Sequence, residues 1–254
     1  MSFHVIIPAR FESSRLPGKP LKMIGHLTMI EHVCQRAIES GALSVTVATD
    51  HLAIKLKVEQ AGFKAVLTRE DHVSGSDRIF EAANKIKLND EDIIVNVQGD
   101  EPFIPSENIR LVAKLIERHK AKMTTLCCPI KNRNEVNDAN SVKVIFDNNN
   151  KAIYFSRSAI PFNRSKTKQE NLSISNYFRH IGIYAYKKSF LAQFVAWPES
   201  FLESTEKLEQ LRVLENGGEI YLDQLKETPP AGIDTPEDLI QANIYFQSIS
   251  KQSF

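Results

Sequence analysis

Three cations, Arg10, Arg15 and Lys19, stand within ten residues of one another in the stretch IIPARFESSRLPGKPL, residues 6 to 21. Arginine supplies forked donors and lysine a compact charge, so the set suits the oxygens of a triphosphate. A glycine-containing turn after the first strand adds backbone N–H groups that can face phosphate. Pro8, Pro17 and Pro20 restrict φ along the segment and fix its shape more than a soluble connector requires. The spacing is neither G-x-x-x-x-G-K-[ST] nor G-x-G-x-x-G, which argues against those two nucleotide-binding loops. A solvated loop whose charges happen to lie close is the alternative reading.

A second constellation is VNVQGDEPFIP, residues 95 to 105, where an apolar run enters Gln98, Gly99, Asp100 and Glu101. In open α/β sheets ligands bind outside the carboxyl ends of strands, so a carboxylate there can meet a metal or a ribose. Mg²⁺ takes hard oxygen ligands, commonly one or two carboxylates plus substrate phosphates, and Asp100 is the better candidate. An ordinary turn acid fits the same position. Asp234 in GIDTPEDL is a third candidate, with helix capping as its alternative. HVSGSDR, residues 72 to 78, offers hydroxyls and backbone groups to a flat base, or is simply a helix N-terminus.

The elements that must position these residues follow from periodicity. Short β-branched runs alternate with helix-period segments, the pattern of a mostly parallel sheet covered by helices. HVIIPA (4 to 9), SVTVATD (44 to 50), KAVLT (64 to 68) and DIIVNV (92 to 97) read as strands. MIEHVCQRAIES, LAIKLKVEQAG and DRIFEAANKIK read as the helices between them. PSENIRLVAKLIERH starts with Pro105 in a favourable first-turn position and places Ile109, Val112, Ala113 and Ile116 on one face. TTLCCPI is a further strand, and SVKVIF, DNNN and KAIYFS form a hairpin. From about 158 to 178 the chain is polar and Pro-interrupted, a candidate excursion or flexible loop, before HIGIYAYKK returns to strand composition. A helix is predicted from near Glu203 to Gly217, and Thr235, Pro236 and Asp238 give a capping-box-like start to the last one.

The chain has 254 residues and a formal net charge of +1, so no global field recommends nucleic acid or an anionic membrane, and neither is expected as a partner. Cys34, Cys127 and Cys128 are an odd set without metal-ligand spacing, which fits a reducing cytoplasm. Nothing at the start reads as a signal segment, and no window has the roughly 18 apolar residues of a spanning helix.

Taken in order, IIPARFESSRLPGKPL, ATDH, HVSGSDR, NVQGDEPFI, YFSRSAIPFNR, RHIGIYAY, LEQLRVLENG and GIDTPEDL resemble the 3-deoxy-manno-octulosonate cytidylyltransferase family over nearly the whole chain. The resemblance implies a nucleotide-diphospho-sugar transferase fold, Rossmann-like, with a mixed, mostly parallel sheet flanked by helices and a smaller dimerisation excursion. It implies a single cytidylyltransferase domain over 1–254, working as a homodimer, and a Mg²⁺-dependent reaction of CTP with 3-deoxy-D-manno-octulosonate (KDO) to CMP-KDO and pyrophosphate. Carried over residue by residue, it puts Arg10, Arg15 and Lys19 on the CTP phosphates. Ala9, Ser74, Gly75 and Gln98 fall around the nucleoside, Asp100 and Asp234 on Mg²⁺, and Arg157, His180, Tyr184, Glu209 and Gln210 around the sugar acid. Phe11 stands where the family often has Tyr, and Ser76 replaces a common Thr.

Two other readings stay open from the sequence. A related cytidylyltransferase for another acid sugar would use the same CTP machinery, and a regulatory module could hold CTP without turning it over. A Ser-His-Asp hydrolase is disfavoured, since no G-x-S-x-G elbow occurs.

Overall fold

The computed structural model describes residues 1–164, 174 and 176–251, without the side chains of residues 250 and 251. It divides into two compact units, Met1–Leu111 with Pro229–Phe254, and Val112–Thr228.

The first unit is built on four parallel strands in the order β6-β1-β4-β5: β1 His4–Ala9, β4 Ser44–Thr49, β5 Lys64–Leu67 and β6 Ile93–Asn96. A two-stranded ribbon, β2 Met23–Ile24 and β3 Leu27–Thr28, follows a short 3-10 turn at Lys19–Leu21. The helices are α1 Met29–Glu39, α2 Leu52–Gln60, α3 Gly75–Lys85 and α9 Pro236–Lys251, and the chain leaves the unit within α4 Ser106–Arg118. β1 has neighbours on both edges, which explains its near-continuous apolar sequence. Val5, Ile6 and Ile7 are fully buried, as are Ile94 and Val95 of β6. Thr28 and Glu31 close a capping box on α1, and Gly41, at φ +80°, ends it in a conformation other residues resist. α9 starts in the same manner: the Thr235 hydroxyl accepts from Asp238 N–H, while the Asp238 carboxylate accepts from the N–H groups of Asp234 and Thr235.

Register fixes what lies at the carboxyl edge. Ala9 pairs with Thr49, so Arg10 and Asp50 leave adjacent strands together. Leu16, Ile24, Met29, Ile233 and Ala242 form one buried cluster, with Phe103, Leu239 and Phe246 packed on it. Burying each of the larger side chains is worth about 1.5–3 kcal/mol. Leu16 lies between Arg15 and Lys19, and Ile233 precedes Asp234, so this cluster draws the cationic loop and the late acidic segment together.

The second unit contains β7 Met123–Pro129, α5 Arg133–Asn137, β8 Lys143–Phe146, β9 Ala152–Ser156, β10 Phe178–Lys187, α6 Lys188–Ala196, α7 Phe201–Glu206, α8 Gln210–Glu215 and β11 Tyr221–Gln224. β7 pairs antiparallel with β10 and parallel with β11, while β10 pairs with β8 and β8 with β9, both antiparallel. The sheet here is mixed, and β10 carries a bulge between Ile181 and Tyr184, around Gly182. The hairpin turns as its sequence predicts: Asp147 Oδ1 accepts from the N–H groups of Asn149 and Lys151, and Asn150 takes φ +62°. Lys143 is fully buried, its ammonium donating to the carbonyls of Asp138, Ser141 and Arg157 at 2.8, 2.5 and 2.6 Å.

The single helix expected from Glu203 to Gly217 is two helices, α7 and α8, broken at Lys207 with φ +52°. Arg212 binds the Glu203 carboxylate through Nε at 2.7 Å and Nη2 at 2.6 Å, with both side chains buried. Residues nine apart on one continuous helix face opposite ways, so this ion pair requires the break. Of the candidate excursion at 158–178, residues 165–173 and 175 lie outside the described residues.

Candidate active site

In the first unit the structure gathers Arg15, Lys19, Asp100 and Asp234 from three distant stretches. Lys19 Nζ donates to Asp100 Oδ2 at 2.6 Å and to Asp234 Oδ1 at 2.9 Å, and Arg15 Nη2 lies 3.0 Å from Asp234 Oδ2. The backbone makes this possible in two places. A Cβ on Gly99 would lie 2.9 Å from the Pro8 carbonyl oxygen, so glycine lets the segment after β6 press against the end of β1. One residue on, Asp100 O accepts from Ile233 N–H at 2.9 Å, fixing Asp234 beside Asp100.

Burial by itself would lower the pKa of Lys19; the two carboxylates outweigh it and hold the ammonium above its ordinary value. Two carboxylates that meet on one cation also fit a hard divalent ion completed by substrate oxygens. Among the described residues no cluster of three or more His, Cys, Asp or Glu is disposed as a self-sufficient metal site. Arg10, just past β1, is exposed and takes no part in the Lys19 cluster.

Ser74 is the N-cap of α3, its hydroxyl accepting from Asp77 N–H at 3.1 Å and donating to Asp77 Oδ2 at 2.8 Å. The helix therefore begins two residues before the predicted DRIFEAANKIK. Gly75 follows; a Cβ there would sit 3.9 Å from the Pro8 ring, so α3 starts against the end of β1. Ala9 is buried at that strand end. Gln98 donates to Asn96 Oδ1 at 3.1 Å. The residue that sequence reasoning left without a role is Asp50 of ATDH, which accepts from Phe11 N–H and from Arg78. Its signal was its position at the carboxyl end of the run SVTVATD, as Asp100 stands out by following the carboxyl end of DIIVNV.

In the second unit His180 is buried, with Nε2 2.9 Å from Thr125 Oγ1 and its ring 4.9 Å from Phe155 and 5.4 Å from Tyr184. Burial, reinforced by Arg179, pushes its pKa down to about 3, so the ring is neutral. Burial and then the charge of Glu209 push the Tyr184 phenol well up, so it keeps its proton. Glu209 precedes α8 and Gln210 opens it. Gln210 is 3 % exposed and its Nε2 has no hydrogen-bond partner among the described residues, a costly state unless a ligand supplies an acceptor. Arg157 donates through Nε to Glu206 O at 2.7 Å, through Nη1 to Ala139 O at 2.9 Å and through Nη2 to Lys207 O at 3.4 Å. Its guanidinium clips loop backbone together.

Fold and site define a nucleotidyltransferase. A cytidylyltransferase family model matches residues 4–225. The 3-deoxy-manno-octulosonate cytidylyltransferase of Pectobacterium carotovorum is 50% identical over 240 residues, 94% of this chain and 96% of that protein. Its counterpart in Francisella philomiragia is 49% identical over 240 residues, with the same coverage of 94% and 96%. Among solved structures, a CMP:2-keto-3-deoxy-manno-octonic acid synthetase complexed with CTP is similar at TM-score 0.89 and 37% identity, covering 98% of this chain and 99% of that one. A Bacillus anthracis protein assigned as a glucose-1-phosphate thymidylyltransferase matches at TM-score 0.66 and 17% identity over 97% and 96%, a likeness of fold alone. This chain belongs to the 3-deoxy-manno-octulosonate cytidylyltransferase family.

Proposed function

We infer that this chain transfers CMP from CTP to KDO, giving CMP-KDO and pyrophosphate and so activating the sugar acid for lipopolysaccharide biosynthesis. The observation that carries the chemistry is the convergence of Arg15, Lys19, Asp100 and Asp234. A binding module has little need for two carboxylates aimed at one cation.

The anomeric hydroxyl oxygen of KDO attacks the α-phosphorus, the bond from that phosphorus to the bridging oxygen of pyrophosphate breaks, and the hydroxyl proton passes to solvent. Negative charge grows on phosphate oxygens, so positioned cations supply much of the acceleration. Arg15 and Lys19 neutralise the leaving pyrophosphate, and exposed Arg10 steadies the triphosphate. To reach phosphate, Lys19 exchanges its carboxylate partners for phosphate oxygens. Ser74, Gly75 and Ala9 border the cytosine, and Gln98 the ribose. Asp100 and Asp234 are the residues that would hold Mg²⁺, which when bound lowers the pKa of the attacking hydroxyl and offsets phosphate charge.

For the sugar acid, Gln210 Nε2, which has no hydrogen-bond partner among the described residues, supports a polar ligand beside it. Tyr184 offers a phenol donor, neutral His180 and Glu209 complete the polar lining, and Arg157 shapes the wall by holding loop carbonyls. One family model running through both units favours a single cytidylyltransferase domain. We extend the proposal to a cytoplasmic homodimer, to be read by light scattering. Among the described residues no helix is long and apolar enough to cross a membrane.

Mass spectrometry of a mixture of CTP, KDO, Mg²⁺ and protein tests this reading. A CMP-KDO product abolished by chelation is expected. A product with another acid sugar but not KDO would move the specificity, and no product with any acid sugar would overturn the enzyme reading.

A further inference from the structure

The geometry points to Asp50 as a positioning residue that sets the shape of the phosphate-binding loop, with Arg78 as its buried counter-charge and His51 as its aromatic support. This rests on the function proposed above.

Asp50 leaves the end of β4 beside Arg10, and both of its oxygens are engaged. Oδ1 accepts from Phe11 N–H at 3.1 Å, and Oδ2 accepts from Arg78 Nη2 at 2.8 Å. Arg78, 5 % exposed, also donates through Nη1 to Thr68 Oγ1 at 2.6 Å and to Arg69 O at 3.3 Å, so it is locked to the end of β5. Phe11 is the stem of the cationic loop: its carbonyl accepts from Gly18 N–H at 3.3 Å, closing residues 11 to 18 on themselves. Its ring stacks on His51 at 3.9 Å and 15°. Gly18, at φ +66°, turns the chain where a side chain would be strained.

Arg10 precedes this stem, Arg15 lies inside the closed loop, and Lys19 follows it. Phe11, bonded to Asp50 and stacked on His51, therefore anchors the start of the loop that carries all three cations, while Asp100 and Asp234 hold its far end through Lys19. A charge-assisted acceptor holds a backbone N–H more firmly than water does, and the buried guanidinium keeps the carboxylate in place. A catalytic triphosphate site needs such fixity, because cations that reorganise on binding lose part of their effect.

The test compares Asp50→Ala, Asp50→Asn and His51→Ala with wild type, measuring KM for CTP, KM for KDO, kcat and thermal midpoint. Asp50→Ala should raise KM for CTP about 10-fold or more, the scale of losing a hydrogen bond to a charged group, with KM for KDO unchanged. Asp50→Asn keeps an acceptor for Phe11 N–H and should recover part of that loss. His51→Ala leaves the Asp50–Arg78 pair intact and should raise KM for CTP about 3-fold, so the inference is tested even if Asp50→Ala does not fold. A merely structural role lowers the active fraction, reducing kcat while both KM values stand still; that pattern, or both KM values rising together, would overturn the assignment. Inactive wild type would instead overturn the functional reading, which separates the two failures.

Discussion

Lys19 Nζ lies 2.6 Å from Asp100 Oδ2 and holds Asp234 in the same grip, so a residue expected on phosphate occupies the point where two carboxylates converge. The ammonium acts as a tethered cation for acids that would otherwise repel each other. Lys19→Met should lower kcat/KM about 10²-fold or more, through loss of transition-state charge neutralisation. The same change should tighten Mg²⁺ binding to the nucleotide-free protein about 10-fold, because one competing positive charge is gone. Calorimetric titration with Mg²⁺ alone reads the second effect without turnover; weaker binding would contradict the shared position.

Asp100→Asn should cut turnover roughly 10²-fold or more, as loss of a charge placed directly at the transition state does. Steady-state kinetics at saturating Mg²⁺, with thermal midpoint as the folding control, checks it. Unchanged turnover would remove Asp100 from the site.

Gln210 offers a contrast between stability and function. Its buried Nε2 has no partner among the described residues, so Gln210→Leu should leave thermal stability unchanged or raised, since an unsatisfied buried donor costs about 1–3 kcal/mol. KM for KDO should rise while KM for CTP holds. A fall in stability with both KM values unmoved would show that the amide is structural.

His180 predicts an acid limb. Its folded pKa of about 3 lies below the ordinary 6.5, so the unfolded chain binds more protons between those values. Stability is then complete above about pH 6.5 and falls as pH drops toward 3, by something on the order of 3 kcal/mol between pH 6.5 and 4. Urea midpoints across that range, compared with His180→Gln, measure it; an equal slope in the variant would assign the loss elsewhere.

The Arg212–Glu203 pair holds the break between α7 and α8. Glu203→Gln leaves a buried guanidinium without its counter-charge and should cost roughly 3–5 kcal/mol. Denaturant melts test this, and a loss below about 1 kcal/mol would mean that the break is set by other contacts.

What the sequence made legible was local. β1, β4 and β6 declare themselves by apolar β-branched runs, and the buried face of α4, Ile109, Val112, Ala113 and Ile116, repeats at helical spacing. The break at Lys207 was hidden because nothing near it is Gly or Pro; a pair nine residues apart decides it. The roles of Asp50 and Arg157 were hidden for the same reason. Asp50 meets Phe11 only through the register of β4 on β1, and Arg157 finds its carbonyls only once the loop containing Ala139 and the end of α7 are brought together. Asp100 and Asp234 were each ambiguous alone; only the ordered set of motifs suggested that they share a partner.

The central claim is cytidylyl transfer to KDO at the Lys19–Asp100–Asp234 cluster, and pyrophosphate release tests it most directly. The assay runs CTP and Mg²⁺ with KDO, then with sialic acid, then with each other nucleoside triphosphate. Release confined to CTP with KDO is the expected result. Release with a different acid sugar would keep the CTP site and change the acceptor; no release with any acceptor would contradict the claim and leave a module that binds CTP without turning it over.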